Sequence, residues 1–400
     1  MKNYLITGVS LRSKGGSAMV QAACRLIGVE RRYSILSFYP QMDRDALRNS
    51  GLKIDIQPCR LLSRRGLAFK LEIFLMTLDY FVSVRLPRRP LRLSSYARVL
   101  RDMDGVLEIH GIAFSDHYGF NDAFTSFLKM KLARRFGVPF FCLPQSYGPT
   151  TSRLNLFLAK QALESTRLAL PRGMISVKFL QRLRLKTPRV EFMPDLAFAF
   201  ENPSRELIDA IAARYKPQTG TRYVAIIPNI LFLRWGRPET VDYYVELMRR
   251  LQADYGFEFI LIPHQYNDRG TDDRDFNNAI AARFGAELLM KIDGLLTANE
   301  IKALLSFCDI TICSRFHGMV SSLKMGVEPF VIGWADKYQE IMDLYELGDN
   351  VCDYRSFDVE RMYSRIRQRL GQPTDAIRAR TEELATMLES LSAKLESGNE

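Results

Sequence analysis

The chain has 400 residues, of which 47% are hydrophobic and 25% charged, and a formal net charge of +11. This length and composition are those of a globular protein with about two domains. No run reaches the ~18 uncharged apolar residues of a membrane span, and the short apolar run that opens the chain predicts a strand rather than a signal peptide. Six cysteines without CxxC spacing indicate core residues in a reducing cytoplasm and argue against a disulfide framework.

The charge is distributed unevenly along the sequence. Residues 1–200 hold 32 Lys and Arg against 14 Asp and Glu, a net charge of +18, whereas the remaining residues hold 24 against 31, a net charge of −7. We therefore expect the first half to meet an anionic partner: nucleic acid, an acidic glycan or a bilayer surface.

The first elements predict an α/β domain. A buried strand at 4–8 leads through a loop with Gly15 and Gly16 into a helix at 18–26, and a second strand follows at 33–38. A glycine-rich entry to a helix lets a ligand approach the backbone. By itself this loop is weak support for a phosphate site, because neither GxGxxG nor GK[ST] occurs in it.

The region 61–101 mixes apolar residues with basic clusters, Arg64-Arg65 and the stretch 85–92. One interpretation is a pair of solvated helices whose apolar residues belong to the core. The other is a surface that lies on anionic lipid headgroups without crossing the bilayer.

Strands and helices alternate through the rest of the chain. Strands are predicted at 105–111, 138–143, 223–229, 257–262, 309–312 and 329–333, and helices at 121–136, 153–166, 241–255, 274–284, 297–307 and 319–325. Such alternation predicts parallel, doubly wound sheets, and the polar stretch 201–204 predicts a linker. The expected fold class is α/β with two Rossmann-like domains facing a cleft, 1–200 and 205–370. A C-terminal amphipathic helix and tail follow at 371–400, with the helix itself at 375–395.

Polar residues at strand ends provide the candidate site, because ligands bind outside the carboxyl ends of parallel strands. Arg315 and His317 lie in the turn after the strand at 309–312, where an Arg can pair with a carboxylate or phosphate and a His can exchange a proton near neutral pH. The alternative is that Arg315 pairs with a local carboxylate and His317 is buried against the sheet. Further candidates for substrate binding on the same side of the predicted sheets are Asp116, Gln145, Asn229, His264 and Gln265.

Six motifs, in order along the chain, resemble those of the polysaccharide pyruvyl transferases, which are GT-B-like enzymes with two domains. They are a glycine loop with Ser13 where the family has Asn, a turn from His110 to Asp116 with fewer glycines than usual, LPQSYGP from Leu143 to Pro149, Arg172 followed by Ser176 and Leu180, PDLAF from Pro194 to Phe198, and Arg315-Phe316-His317-Gly318. The resemblance covers residues 4 to about 350.

The resemblance implies that pyruvate is transferred from phosphoenolpyruvate to two hydroxyls of a sugar, with phosphate released and no cofactor. The donor carries a carboxylate and a phosphate, for which Arg315 and Arg172 are the expected cationic partners. Proton transfer needs a titrating group, and His317 is the first candidate. His264 is the second, with a structural role as its alternative. Asp195 is expected either to orient an arginine or the acceptor, or to act as a capping carboxylate.

The two halves are expected to share the substrates. Gly15, Gly16 and Arg172 are placed across the cleft from Arg315, so that domain closure brings both sides to one ligand. The basic first half is expected to hold the acceptor, a lipid-linked or otherwise membrane-proximal glycan, and the second half most of the donor.

Other function classes stay open on the sequence. A GT-B glycosyltransferase with a nucleotide-sugar donor would share the fold and a basic site at a strand end. A nucleic-acid-binding protein would suit the basic first half, but no recognition motif is present, and no residues have the spacing of metal ligands. We expect a cytoplasmic enzyme, at the inner face of the membrane if the basic region binds lipid. The acceptor sugar and the oligomeric state are left open.

Overall fold

The computed structural model describes residues 2–9, 11, 13–37, 40–47, 51–58, 67–86, 91–266, 271–285 and 289–398. These residues form two compact units. The first takes in the described residues of Met1–Arg12, Met19–Ala199 and Thr386–Glu400, and the second those of Ser13–Ala18 and Phe200–Ala385. The glycine loop, expected in the N-terminal domain, thus groups with the second unit. The arginine clusters Arg64-Arg65 and Arg88-Arg89 lie outside the described residues.

The first unit is built on a parallel sheet. Its strands are β1 (Asn3–Thr7), β2 (Arg32–Ser37), β3 (Ile54–Pro58), β4 (Gly105–Glu108), β5 (Ile112–Ala113), β6 (Phe140–Tyr147), β7 (Leu168–Pro171) and β8 (Arg189–Val190). They follow the order β3-β2-β1-β4-β6-β7-β8, with β5 paired to β6. All residues of β4, β6 and β7 are buried, as expected for parallel strands that helices cover on both faces.

Seven helices accompany this sheet among the described residues up to Leu183. They are α1 (Lys14–Ile27), α2 (Pro40–Leu47), α3 (Leu67–Arg85), α4 (Ser95–Val99), α5 (Gly119–Arg135), α6 (Arg153–Leu163) and α7 (Met174–Leu183). The first turn of α1 belongs to the residues that group with the second unit. Residues of α3, α4, α5, α6 and α7 share one apolar core with β1, β4 and β6.

The second unit repeats the architecture. Its strands are β9 (Tyr223–Ile227), β10 (Glu258–Leu261), β11 (Leu289–Lys291), β12 (Ile310–Cys313), β13 (Glu328–Gly333) and β14 (Val351–Asp353), in the parallel order β11-β10-β9-β12-β13-β14. Its helices are α8 (Arg205–Tyr215), α9 (Leu231–Arg234), α10 (Thr240–Tyr255), α11 (Asp273–Phe284), α12 (Ala298–Leu305), α13 (Phe316–Lys324), α14 (Lys337–Asp343) and α15 (Val359–Arg369). Numbered from β9, this is the 3-2-1-4-5-6 order of doubly wound sheets.

The predicted α/β class with two Rossmann-like domains is confirmed, while several element boundaries differ. The single helix predicted at 375–395 is wrong, because the chain forms α16 (Asp375–Leu388) and α17 (Leu391–Ser397) with a break between them. Helix α13 begins at Phe316 rather than at 319, which places His317 in its first turn. Gly318 lies inside this helix, and a glycine suits the position because a Cβ there would come within 3.2 Å of Ile227. Among the described residues, no helix is both long and apolar enough to cross a membrane.

Candidate active site

The carboxyl ends of β9 and β12 form the centre of the candidate active site. The two strands are neighbours in the sheet of the second unit, and the chain leaves them toward opposite edges. This is the position at which open α/β sheets bind ligands. Asn229, which follows β9 and is 1% exposed, donates from its side-chain amide to the carbonyl of Ser314 after β12 at 3.3 Å. Asn229 therefore joins the two strand ends.

A buried carboxylate, Asp273, holds these loops in place at the start of α11. It accepts hydrogen bonds from four residues that follow three different strands: Ile230, His264, Gln265 and Arg315. The three backbone N–H bonds are 2.8–3.1 Å long. Because a carboxylate offers several acceptor positions, one side chain can fix three loops relative to each other.

Most of the Arg315 guanidinium is hydrogen-bonded inside the protein, so only part of it can face a donor anion. Its Nε and Nη2 groups donate to Asp273, and Nη1 donates to Gln265 Oε1 at 2.6 Å. As far as the described residues show, these bonds use three of its five guanidinium N–H groups, which leaves two for a ligand. The bidentate contact that an arginine can make with a carboxylate is thus made with Asp273. A bound anion would meet only the remaining edge.

His317 lies beside this pair in the first turn of α13. Its ring packs edge-on against Phe316 with the centroids 5.1 Å apart. The glycine loop lies directly against it, since a methyl group at Gly15 would be 1.9 Å from Cγ and Nδ1 of His317. Gly15 is therefore required to leave room for the imidazole. The N–H groups of the first turn of α13 also favour an anion at this point.

His264 and Lys14 bring two more titratable groups to the site. Burial lowers the pKa of His264 well below its ordinary value of 6.5, and the charges of His317, Arg315 and Lys14 act in the same direction. His264 is thus neutral near pH 7. Burial also lowers the pKa of Lys14, with Glu300 opposing the shift. A partly desolvated Lys next to a His pair provides a cation that a phosphate or carboxylate would stabilise.

The buried His264 predicts a loss of stability in acid. Below about pH 6.5 the unfolded chain takes up a proton on this residue, whereas the folded protein does so only at a much lower pH. Since the unfolded state then binds more protons, the free energy of unfolding falls as the pH falls, by up to about 1.4 kcal/mol per pH unit. His264→Gln should remove this contribution.

The measurement is the melting temperature at a series of pH values from about 7 to 5, a window that spans the ordinary histidine pKa. We expect a shallower decline for His264→Gln than for the wild type. The control is His117→Gln, because His117 is exposed. Identical declines for His264→Gln and the wild type would contradict the burial of a neutral histidine.

The first unit gathers a second group of predicted residues around Arg172, which is 1% exposed. Its Nε donates to Ser146 Oγ at 3.0 Å, its Nη2 to the Gly111 carbonyl at 2.6 Å, and its Nη1 to the fully buried Asp195. Asp195 also accepts the backbone N–H of Ala197 at 2.9 Å. Arg172, which follows β7, thus connects the loop after β4 with the end of β6, and Asp195 orients it.

Three further predicted residues form hydrogen bonds with backbone N–H groups or hydroxyls of loop residues. Gln145, fully buried in β6, accepts the backbone N–H of His110 at 3.0 Å. Asp116 is exposed and accepts the backbone N–H of Thr151 at 2.7 Å. The backbone N–H of Gly16 donates to Ser13 Oγ at 3.0 Å. Each contact shapes a loop at the carboxyl edge of a sheet or the start of α1.

The structure therefore brings the predicted residues together in two groups. In the second unit they are Gly15, Asn229, His264, Gln265, Arg315 and His317; in the first they are Gln145, Arg172 and Asp195. Sequence reasoning missed Asp273 and Lys14. The sequence contains a hint of Asp273. Asp272 caps α11, so the acidic residue that follows it is not needed as a cap and is available for another role. In the described ranges, no three His, Cys, Asp or Glu side chains are grouped as metal ligands would be.

Two parallel sheets in doubly wound order, each with helices around it, give the chain an α/β fold of the GT-B-like class. The chain belongs to the polysaccharide pyruvyl transferase family, whose model matches residues 104–336, more than half of its length. No curated protein matches the chain significantly.

Solved structures share the fold at low sequence identity. The UDP-GlcNAc 2-epimerase from Neisseria meningitidis, bound to UDP-GlcNAc, superposes with a TM-score of 0.64 at 10% identity, covering 99% of this chain and 100% of that one. The spinosyn rhamnosyltransferase SpnG with spinosyn aglycone gives 0.56 at 14%, and HepE from Anabaena with UDP and glucose gives 0.61 at 11%, each covering 99% of this chain and 100% of the other. Identities this low show the fold alone.

Proposed function

We propose that the protein transfers pyruvate from phosphoenolpyruvate to a sugar of a polysaccharide or glycolipid, forming a ketal across two hydroxyls and releasing phosphate. Family membership supports the reaction type. The observation that carries the assignment of residues is the convergence of His317, His264, Arg315 and Lys14 at the first turn of α13. This cluster combines cations for a small donor that has two anionic groups with a histidine for proton transfer.

Ketal formation joins both sugar oxygens to the central carbon of the donor. A proton moves to the methylene carbon, the first hydroxyl attacks the cationic carbon that results, and the second hydroxyl attacks as phosphate leaves. One hydroxyl proton replaces the proton delivered to carbon and the other leaves with phosphate, so that the atoms balance. We assign the delivery and recovery of the first proton to His317.

Donor binding is assigned to the anion-favouring groups of the second unit. Lys14, the two remaining N–H groups of Arg315 and the backbone N–H groups of the first turn of α13 would meet the carboxylate and phosphate. His264, held neutral, can hydrogen-bond without adding charge. Arg172 is assigned a positioning role, because its guanidinium supports the loops of the first unit.

Arg315→Lys is expected to weaken binding of phosphoenolpyruvate by at least about tenfold. An ammonium group cannot reproduce a fork that holds Asp273 and Gln265 while presenting N–H groups to the donor. Isothermal titration with phosphoenolpyruvate alone measures the effect. The control is Arg205→Lys, at an arginine whose side chain is 81% exposed in the same unit. Unchanged affinity in Arg315→Lys would remove Arg315 from the donor site.

The reaction itself is tested against the nucleotide-sugar alternative. The purified protein is incubated with methyl hexosides and either phosphoenolpyruvate or UDP-glucose, and released phosphate and nucleotide are measured. Mass spectrometry of glycans from cells with and without the gene provides the natural acceptor. We expect phosphate release and a gene-dependent pyruvate ketal. Nucleotide release without either result would replace the proposal with a glycosyltransferase.

A further inference from the structure

Helix α3 places Met76 in the apolar core, yet it also buries three polar side chains and exposes large apolar ones. Glu72, Asp79 and Ser83 are buried, whereas Phe74 and Phe81 are 61% and 58% exposed. Exposing aromatic rings to water while burying carboxylates is unfavourable on both counts. The exposed stripe therefore calls for a partner that covers it.

The orientation of α3 is set by specific hydrogen bonds. Asp79 accepts the backbone N–H groups of Leu93 and Ser94 at 2.8 and 2.9 Å, and Glu72 accepts the backbone N–H of Tyr96 at 3.1 Å. These carboxylates provide hydrogen-bond acceptors for backbone N–H groups at and just before the start of α4. Turning α3 to bury its phenylalanines would break these bonds and leave the N–H groups without acceptors.

The apolar surface continues onto two neighbouring helices of the same unit. Tyr80 of α3 contacts Phe127 of α5 with ring centroids 5.9 Å apart, and Phe127 begins a stacked row with Phe124 and Phe120. Helix α6 packs beside α5 and exposes Phe157 by 59%. We call this surface the α3 face; its exposed apolar members are Leu71, Phe74, Phe81, Val84, Phe120, Leu154 and Phe157.

Within the three helices of the α3 face, the exposed charges have one sign. Both acidic residues of α3 are buried, and on α5 the single acidic residue, Asp122, is half-buried beside His110. The exposed charged side chains of α3, α5 and α6 are all basic: Lys70, Arg85, Arg134, Arg135 and Arg153. An apolar stripe edged by cations matches the boundary between acyl chains and anionic headgroups.

We infer that the α3 face binds the surface of a bilayer that contains anionic lipids, with its phenylalanines in the headgroup layer. A second copy of the chain is disfavoured as the occupant, because it would bring two sets of basic side chains together. The inference rests on the packing of α3 and does not depend on the proposed donor. It would place the enzyme beside lipid-linked glycans, one of the acceptor classes proposed above.

The test is co-sedimentation of the full chain with vesicles of phosphatidylcholine alone or with equal parts of phosphatidylglycerol, at low and high salt. We expect binding to the anionic vesicles that weakens with salt. Phe74→Gln with Phe81→Gln, and separately Lys70→Glu with Arg85→Glu, should each weaken binding by about tenfold or more. The control is Leu295→Gln, at an apolar residue of the second unit that is 68% exposed.

Either of two results would overturn the inference. The first is a wild type that stays in the supernatant with both vesicle types. The second is a wild type that binds while both double variants bind equally well. Sedimentation velocity without lipid separates the competing occupant: a dimer lost in the phenylalanine variant, without vesicle binding by the wild type, would assign the α3 face to a second copy. Since the substituted side chains are exposed, we expect the variants to melt at the temperature of the wild type. This measurement checks that the variants are folded.

Discussion

His317→Ala is expected to lower kcat by roughly two to four orders of magnitude, the range over which positioned acid–base groups act. The affinity for phosphoenolpyruvate should change much less, because the cations that bind the donor remain. Steady-state kinetics and titration with phosphoenolpyruvate separate the two effects. Wild-type turnover in His317→Ala would remove this residue from the mechanism, whereas lost donor binding with an unchanged kcat would make it a binding residue.

Gly15→Ala provides a matched variant, because it disturbs His317 without removing it. The added methyl group overlaps the position of the imidazole, so the ring must move and kcat should fall. Within a helix, Gly to Ala normally stabilises by about 0.5–1 kcal/mol. Because overpacking against the ring costs about 1–3 kcal/mol and opposes this gain, lower turnover with only a small decrease in melting temperature is the expected combination. Full activity in Gly15→Ala would mean that the position of the ring against the glycine loop is unimportant.

Asp195→Asn is expected to destabilise the protein by about 3–5 kcal/mol, because it leaves the buried guanidinium of Arg172 without its counter-charge. For a unit of this size, that loss corresponds to a decrease of roughly 6–20 °C in the melting temperature. Circular dichroism or calorimetry measures it. Arg172→Met combined with Asp195→Leu should recover part of the loss, since a pair of apolar residues leaves no buried charge.

An exposed ion pair serves as the comparison. Arg205 and Asp209 are joined at 3.1 Å, with side chains 81% and 60% exposed, so Asp209→Asn should cost less than about 1 kcal/mol. If Asp195→Asn melts like the wild type but loses affinity for phosphoenolpyruvate, Arg172 is a donor ligand and not a support for the loops.

Sequence reasoning located most of the candidate site because parallel sheets have a simple rule. Strands that run in one direction end at one edge, so the residues that follow them meet. Arg315, His264 and Gln265 could be found in this way without coordinates. Asp273 could not be found by this rule, because it lies in the first turn of α11 and not at a strand end, and its partners follow three separate strands. A buried carboxylate of this kind is recognised by the hydrogen-bond donors around it, which only the folded structure brings together.

The orientation of α3 also could not be predicted from the pattern of apolar and polar residues in its sequence. Its sequence has large apolar residues on most sides, so the choice between a core helix and a surface helix stayed open. The orientation is set by Glu72 and Asp79, whose carboxylates accept hydrogen bonds from backbone N–H groups at and just before the start of α4. Neither bond can be anticipated until the two segments are in contact.

By itself, the sequence determined the α/β class, the alternation of strands and helices, the motif order of the pyruvyl transferase family and the strand ends that carry polar residues. These follow from local properties: the period of apolar residues and the residues that end a strand. Only the tertiary structure decided that Arg315 is engaged by Asp273, that Gly15 lies against His317 and that α3 exposes Phe74 and Phe81. Each depends on groups far apart in the chain, whose hydrogen bonds and steric contacts exist only once the units have folded.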